Sequence, residues 1–252
     1  MKKVIDAITK ATAKARRKML ANEIFERHKG KVQRGEYKGL LLDGSSNVSR
    51  GPLGLKILGF YEKPVVEEIV ASAPFKDLVN FGAADGYMSL GPLFAGFCQR
   101  SICFEMTQKG RHAVACNAEL NHLTEKVEIR GIVDDRILSH LDEIDVSPKQ
   151  TLILCDIEGA EFNVLNTKVL NDLHGAKIIV ELHDRVMEGG VSLRNALIER
   201  LPDGARYRIL RSGESLSYKG IEDLDRLSDN DRALVLSDGR KVFGEWMVID
   251  YP

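Results

Sequence analysis

From Phe75 onward the chain alternates short apolar runs with longer segments of helical period. The runs are Asp77–Phe81, Ser101–Glu105, Lys126–Arg130, Thr151–Asp156 and Ala176–His183. Most lack the strict in–out alternation of a half-exposed strand, as parallel strands buried on both faces do. Between them, residues 86–98, 107–122, 160–172 and 190–201 carry apolar positions at helical spacing. This alternation predicts an α/β fold with a doubly wound, Rossmann-like sheet, mostly parallel and joined by right-handed crossovers. Pro92 predicts a kink or a late start in the first of these helices. After Pro202-Asp203-Gly204 come a strand (Tyr207–Arg211), a polar loop, a helix over 228–237 and a last strand (Phe243–Tyr251). The two strands read as an antiparallel C-terminal edge pair.

Upstream the pattern is looser. Residues 2–28 predict one or two helices with a break near Gly30. Tyr37–Leu42 suggests a short strand, and Asp43-Gly44-Ser45-Ser46-Asn47 a loop. A helix over 63–71 tolerates Pro64 in its first turn and turns Val65, Ile69 and Val70 inward. The chain thus divides into a basic helical arm and cap (1–50) and a main domain (51–252).

Composition narrows the class. Of 252 residues 44% are hydrophobic and 29% charged, an ordinary globular balance. No apolar run approaches the roughly 20 residues of a membrane span, and residues 1–34 hold no apolar signal core, so a cytoplasmic protein is expected. Cys98, Cys103, Cys116 and Cys155 show no metal-binding spacing; Cys103 and Cys155 fall in predicted core strands, as reduced buried thiols do. Residues 1–34 hold eleven Lys and Arg against Asp6, Glu23 and Glu26, a net of +8 that leaves −9 for the remainder of a chain whose total is −1. Such an arm can contact phosphates or an anionic surface. It can equally be a helix docked by an apolar stripe of Val4, Ile8, Ala11 and Ala15, with Met19 and Ile24 further on, and the commonness of basic helix faces favours docking.

Candidate chemistry lies at the strand ends. In an open α/β sheet the ligand sits beyond the carboxyl ends of the strands, where strand order reverses. The first strand runs into Gly82-Ala83-Ala84-Asp85-Gly86, whose two glycines let the backbone turn sharply and approach a ligand. The second ends in Glu105, placed to accept from two ribose hydroxyls. The third leads to Asp134, the fourth to Asp156-Ile157-Glu158-Gly159-Ala160-Glu161 and the fifth to Glu181-Leu182-His183. Acids at four of five strand ends suggest a functional mouth, although Asp134 can serve as a helix cap and Glu161 as a solvated first-turn acid. Glu181 and His183 are two apart and share a face. His28, His112, His122, His140 and His174 read as structural or solvated, Trp246 as core, and Tyr61 and Tyr87 as bordering the pocket.

The Asp77–Gly86 run with Glu105 resembles the first motifs of class I S-adenosylmethionine-dependent methyltransferases. Within that class, Leu154–Leu165 with Ile178–His183, preceded by Gly59-Phe60-Tyr61-Glu62, resembles the FkbM-type family over about residues 55–250. Asn80 departs from it, standing where the first motif usually carries an acid. The resemblance implies S-adenosylmethionine as cofactor. Gly82, Ala83, Ala84, Asp85 and Gly86 would line its methionine moiety, Asn80 or Asp85 its amino group, Glu105 its ribose and Asp134 its adenine. It also implies transfer to a hydroxyl oxygen of a small molecule or sugar-containing product. A hydroxyl nucleophile must lose a proton, which calls for a base or a metal. Asp156, beside the glycine loop, is the first choice for base, cofactor contact or metal ligand. His183 is a second candidate base, and Asp156, Glu181 and His183 together could hold a hard divalent ion such as Mg.

Two other classes stay open. A nucleotide-dependent oxidoreductase is disfavoured because the loop lacks the Gly-x-Gly-x-x-Gly spacing that fits a pyrophosphate. A methyltransferase-like binding protein would use its basic arm on nucleic acid or an anionic surface, with strongly salt-dependent association. A homo-oligomer is compatible with either reading.

Overall fold

The computed structural model describes residues 2–44 (backbone only for 2–7), 52–134, 136–212, 218, 220–240 and 242–251. Ser45–Asn47 of the expected loop, the Val4 side chain and 213–217 of the polar loop lie outside the described residues.

Seven strands form one sheet: β1 (Phe75–Phe81), β2 (Cys98–Phe104), β3 (Val127–Arg130), β4 (Thr151–Cys155), β5 (Lys177–Glu181), β6 (Arg206–Arg211) and β7 (Glu245–Asp250). Their order is β3-β2-β1-β4-β5-β7-β6. The first five are parallel, while β7 runs antiparallel to both β5 and β6. Strand order reverses between β1 and β4, so the loops after Phe81 and Cys155 meet at one crevice. This is a Rossmann-like, doubly wound fold with an antiparallel edge pair.

The helices are α1 (Lys2–His28), α2 (Leu53–Leu58), α3 (Lys63–Ser72), α4 (Tyr87–Phe94), α5 (Gln108–Leu120), α6 (Ile137–Glu143), α7 (Glu161–Val164), α8 (Thr167–Asp172), α9 (Val191–Glu199), α10 (Glu222–Asp225) and α11 (Asp229–Val235). Period-2 geometry sends alternate strand residues to opposite layers. Leu78, Leu152, Leu154, Ile179 and Val248 pack in one core with residues of α1–α4. Val79, Ile153, Cys155, Ile178, Val180 and Met247 pack in the other with residues of α6–α9. Covering both faces explains the unbroken apolar runs. Truncating a residue such as Leu154 would cost about 2–5 kcal/mol.

Several expected elements differ. The helix over 86–98 stops at Phe94, two residues past Pro92, and β2 starts early at Cys98. Proline removes a helix donor and crowds the preceding turn, which suits a short last turn. The helix over 160–172 is two pieces, parted at Leu165-Asn166, where the Asn166 side chain caps α8. Tyr37–Leu42 is not a strand: one isolated bridge joins Lys31 and Leu41, and the Asn121 amide pairs with both backbone groups of Leu41 at 2.8 Å. Three backbone bonds, Val32 N to Leu40 O, Gly39 N to Val32 O and Leu42 N to Gly30 O, tie the segment to residues 30–32, and the Asn121 side chain serves Leu41 on its other side.

The basic arm is one helix docked on the domain, and of the expected stripe only Ile24 is buried among the described side chains. Ile8 and Met19 are 59% and 54% exposed, and Ala11 and Ala15 are exposed too. Leu20, Ala21 and Ile24 are the buried positions. Ala21 meets Gly54 of α2, which Val235 of α11 also approaches. Arg16 grips Asp231 through a two-pronged bond at 2.9 and 2.7 Å, and Asp223 receives Arg27 at 2.5 Å and His28 at 2.9 Å. Part of the arm's charge is therefore spent on its own domain. No described helix is long and apolar enough to cross a membrane.

Candidate active site

Two half-sites flank the strand switch. The first is the glycine loop. Gly82 has φ +90°, and a Cβ there would lie 1.8 Å from the Asp156 carbonyl oxygen. No residue but glycine lets the loop pass this close to β4. Gly82 and Ala83 donate to the Phe104 carbonyl at 2.9 and 3.0 Å, pinning the loop to β2. Glu105 lies just past β2; its Oε2 accepts from Ala84 N at 2.9 Å and its Oε1 from Thr107 N and Oγ1 at 2.8 and 2.7 Å. A carboxylate has about four acceptor sites, so Glu105 is held facing the loop with capacity remaining. Phe104, Met106, Ile132 and Val133 add apolar walls suited to a flat ring.

Beneath the loop, Asn80 is 2% exposed; its amide donates to Ser89 Oγ at 2.8 Å, and its Oδ1 is buried without a partner. Lys56, on α2, is also buried and lies 2.6 Å from Asp85 Oδ2. A small cavity of about 30 Å³ borders Lys56, Asn80, Asp85, Tyr87 and Trp246.

The second half-site gathers distant segments. Asp156 follows β4 and is 30% exposed at its side chain. Glu158, with φ +54°, projects outward at 88% exposure. Glu161 is not a solvated acid but fully buried. It accepts from Gly159 N at 2.7 Å, His183 N at 3.0 Å and His183 Nδ1 at 3.1 Å. This grip turns His183 Nε2 toward Asp156 Oδ1 at 3.7 Å and Glu158 Oε2 at 3.6 Å. Burial disfavours the imidazolium, but the bond to Glu161 and the charges of Glu161, Asp156 and Glu158 outweigh it and raise His183 above its ordinary value.

Glu181 faces Arg240, whose guanidinium is enclosed by Glu62, Glu181 and Asp238. Glu62 also accepts from Trp246 Nε1 at 3.0 Å, so Trp246 is more than core packing. One guanidinium cannot neutralise so many carboxyls. Burial raises Glu62 despite Arg240, and burial together with Asp156 pushes Glu181 well above the carboxylate range. Asp156 is also raised by burial, but His183 and a hydrogen bond with Glu181 hold it back. Burial thus raises both members of the pair, Glu181 the more strongly.

A cavity of about 710 Å³ joins the half-sites. Its wall includes Gly82, Ala84, Glu105, Asp156, Glu158, Glu181, His183 and Arg240. Ala83, Asp85 and Asn80 border the small cavity instead. Gly86 caps α4 with φ +84°. Asp134 lies outside both walls: its carboxylate binds Arg136 N at 3.0 Å and Arg136 Nη2 at 2.9 Å at the turn into α6, while the adjacent Val133 lines the cavity. The expected metal trio is also rearranged. Among the described residues, Asp156, Glu158 and His183 bring one ligand atom each within 4.8 Å of one another, whereas Glu181 is taken up by Arg240. None of the other five histidines lines either cavity.

Sequence reasoning passed over Lys56 and Arg240 and read Glu161 as an incidental acid. Glu161 carried a usable signal in its place three residues after Glu158, inside a run that already ended a core strand. Arg240 carried none, because it reaches the site from an irregular segment.

No protein-family model matches the chain. No curated protein sequence matches it either. Solved structures do. The O-methyltransferase TomG from Streptomyces achromogenes, involved in tomaymycin synthesis and solved with SAM, is 12% identical, with a TM-score of 0.53 over 84% of this chain and 92% of that one. An O-methyltransferase from Bacillus cereus, solved with SAH, is 12% identical, with a TM-score of 0.49 over 93% and 91%. The tRNA (m1A22) methyltransferase TrmK from B. subtilis is 11% identical, with a TM-score of 0.45 over 74% of this chain and 64% of that one. At these identities the likeness is one of fold.

Proposed function

We propose that the protein is an S-adenosylmethionine-dependent methyltransferase acting on a hydroxyl of a small, uncharged or cationic molecule. The observation that carries this reading is the meeting of two half-sites across the strand switch: a loop that only Gly82 permits, and the Asp156 carboxyl opposite it. The cofactor fits the residues present. Gly82 and Ala84 of the loop line the main cavity, and Glu105, which already accepts three of the about four hydrogen bonds a carboxylate can take, keeps about one site for a ribose hydroxyl. Asn80 Oδ1 is a buried acceptor without a partner. When bound, the cofactor supplies a methyl group on a sulfonium.

The chain's own residues do the rest. The glycine loop and Glu105 hold the ligand in register, and the walls of the cavity exclude water. Asp156 receives the hydroxyl proton, its basicity enhanced by burial while the neighbouring His183 favours its charged form. Glu161 acts at one remove, by fixing the His183 ring.

The acceptor class follows from charge. Glu105, Asp156, Glu158, Glu181 and Asp238 line the cavity. Among the described residues its two guanidiniums already serve carboxylates, Arg240 as above and Arg185 with Glu245 at 2.5 Å. Such a cavity repels phosphates, which disfavours a nucleic-acid acceptor. A screen with methyl-labelled S-adenosylmethionine against neutral, cationic and anionic hydroxyl compounds, tRNA included, tests this. Transfer to neutral or cationic hydroxyls is expected; transfer to tRNA alone would overturn the reading. The Asp156, Glu158 and His183 grouping supports a second route, in which a divalent ion acidifies the hydroxyl. Activity abolished by a chelator and restored by Mg would establish it.

A further inference from the structure

Lys56 is a lysine at 2% exposure in a short helix whose six residues are all buried. Lysine seldom occupies such a place unless its charge has a purpose, because removing an ammonium from water is costly even when it is paired. Its partner is Asp85 of the glycine loop, with Nζ 2.6 Å from Oδ2. An ammonium has three donors, and among the described residues Asp85 is the one hydrogen-bond acceptor that Lys56 meets. The rings of Tyr61 and Tyr87 stand 5.0 and 5.5 Å from Nζ and supply attraction without lone pairs.

The pair borders a chamber that adjoins the main cavity. The two share Tyr61, Gly82, Ala84 and Asp156 in their walls. At about 30 Å³ the chamber holds about one water as it stands. It contains an unspent acceptor, since Asn80 Oδ1 is buried, unpartnered and part of a residue on its wall. A charged donor, a charged acceptor and a neutral acceptor therefore surround one small space beside the glycine loop.

We infer that the Lys56–Asp85 pair is the receptor for the α-amino-acid end of the cofactor, with Lys56 binding its carboxylate and Asp85 with Asn80 Oδ1 binding its ammonium. This rests on the proposed methyltransferase reading and assigns a residue outside the glycine loop to it. The chemistry is an exchange of partners. A zwitterion parts the internal ion pair without leaving either charge uncompensated, because each side gains an opposite charge for the one it gives up. A ligand with an ammonium alone would strand Lys56. One with no head group would leave the pair closed and bind by its nucleoside alone. The same pair therefore explains why Asn80 can be neutral where the resemblance leads one to expect an acid: Asp85, five residues on, supplies the negative charge.

A purely structural role, tying α2 to the loop, is the competing account, and ligand chemistry separates the two. Calorimetric titration of the wild-type full chain is run with S-adenosylhomocysteine, its decarboxylated analogue, and 5′-methylthioadenosine, which lacks the amino-acid end. We expect each truncation to weaken binding at least tenfold. In Lys56→Met/Asp85→Asn, which strands neither charge, S-adenosylhomocysteine should weaken at least tenfold while methylthioadenosine stays within twofold. Lys56→Arg should recover part of the loss. Equal weakening of both ligands in the double variant, or equal wild-type affinity for the three ligands, overturns the inference and leaves the methyltransferase reading standing. Absence of any binding by the wild type overturns both. The wild-type ligand series decides the matter even where the variants fail to fold.

Discussion

The two half-sites are built in opposite ways. The cofactor half is local: Asn80 to Thr107 spans one strand–loop–helix–strand unit, and most of its bonds run within it, as from Ala84 N to Glu105 Oε2. The acceptor half is assembled from Glu62, Asp156–Glu161, Glu181–Arg185 and Asp238–Gly244, joined by ion pairs such as those of Arg240 and Glu245. A local unit fixes backbone geometry and suits a ligand whose shape does not change. A composite one can vary segment by segment around the same base. The glycine loop therefore carries the general part of the chemistry, and the scattered segments carry its specificity.

The sharpest division between the halves is expected at Asp156. Asp156→Asn should lower turnover by about 100- to 10,000-fold, the usual range for a lost general base. S-adenosylhomocysteine affinity should stay within about threefold, a loss under 1 kcal/mol. Parallel loss of binding and turnover would place Asp156 in the cofactor half instead. Next in size is Arg240→Leu. It leaves Glu62 and Glu181 buried without their cation, which should destabilise the fold by about 3–5 kcal/mol in denaturant titrations. An unchanged midpoint would mean that the two carboxyls are already fully protonated. The local half should respond to Glu105→Ala with about tenfold weaker S-adenosylhomocysteine binding and little change in turnover at saturating cofactor, read by calorimetry and initial rates.

The smallest effect concerns the frame of the acceptor half. Glu245 is 2% exposed at its side chain and pairs with Arg185, Arg194 and Arg211. Burial alone would raise it, but Arg194 and its fellows prevail and lower it below the usual value. A carboxylate depressed on folding contributes stability fully above its unfolded value of about 4.3. That contribution fades as pH falls through the lower folded value. Glu245→Gln should accordingly cost about 1–2 kcal/mol at pH 7, a difference that shrinks at acid pH as the wild type protonates. A constant difference down to pH 2 would show that packing, not charge, is at stake.

The same local-versus-composite contrast governs what could be read in the chain beforehand. Runs such as Leu152–Cys155 identify themselves because both faces are covered, and the switch between β1 and β4 brings Asp156 beside Gly82 as expected. Where the structure depends on contacts between remote segments, the reading falters. The helix stripe of Ile8, Ala11, Ala15, Met19 and Ile24 has the right spacing, yet the helix buries Leu20, Ala21 and Ile24, which leaves Ile8, Ala11, Ala15 and Met19 toward solvent. Glu181 sits two residues before His183, but Arg240, from 59 residues away, claims its carboxylate. Asp134 follows β3 in the loop beyond Arg130 and turns to Arg136 instead of the cavity. Lys56 carries no pattern of its own; its meaning exists only once Asp85 folds over it.

The central claim is that the local half binds S-adenosylmethionine, and calorimetric titration of the full chain with S-adenosylhomocysteine and, separately, with NADH tests it most directly. One-to-one saturable binding of S-adenosylhomocysteine at micromolar concentration, with none of NADH, is the result this account predicts. NADH binding with no response to S-adenosylhomocysteine at millimolar concentration would contradict it.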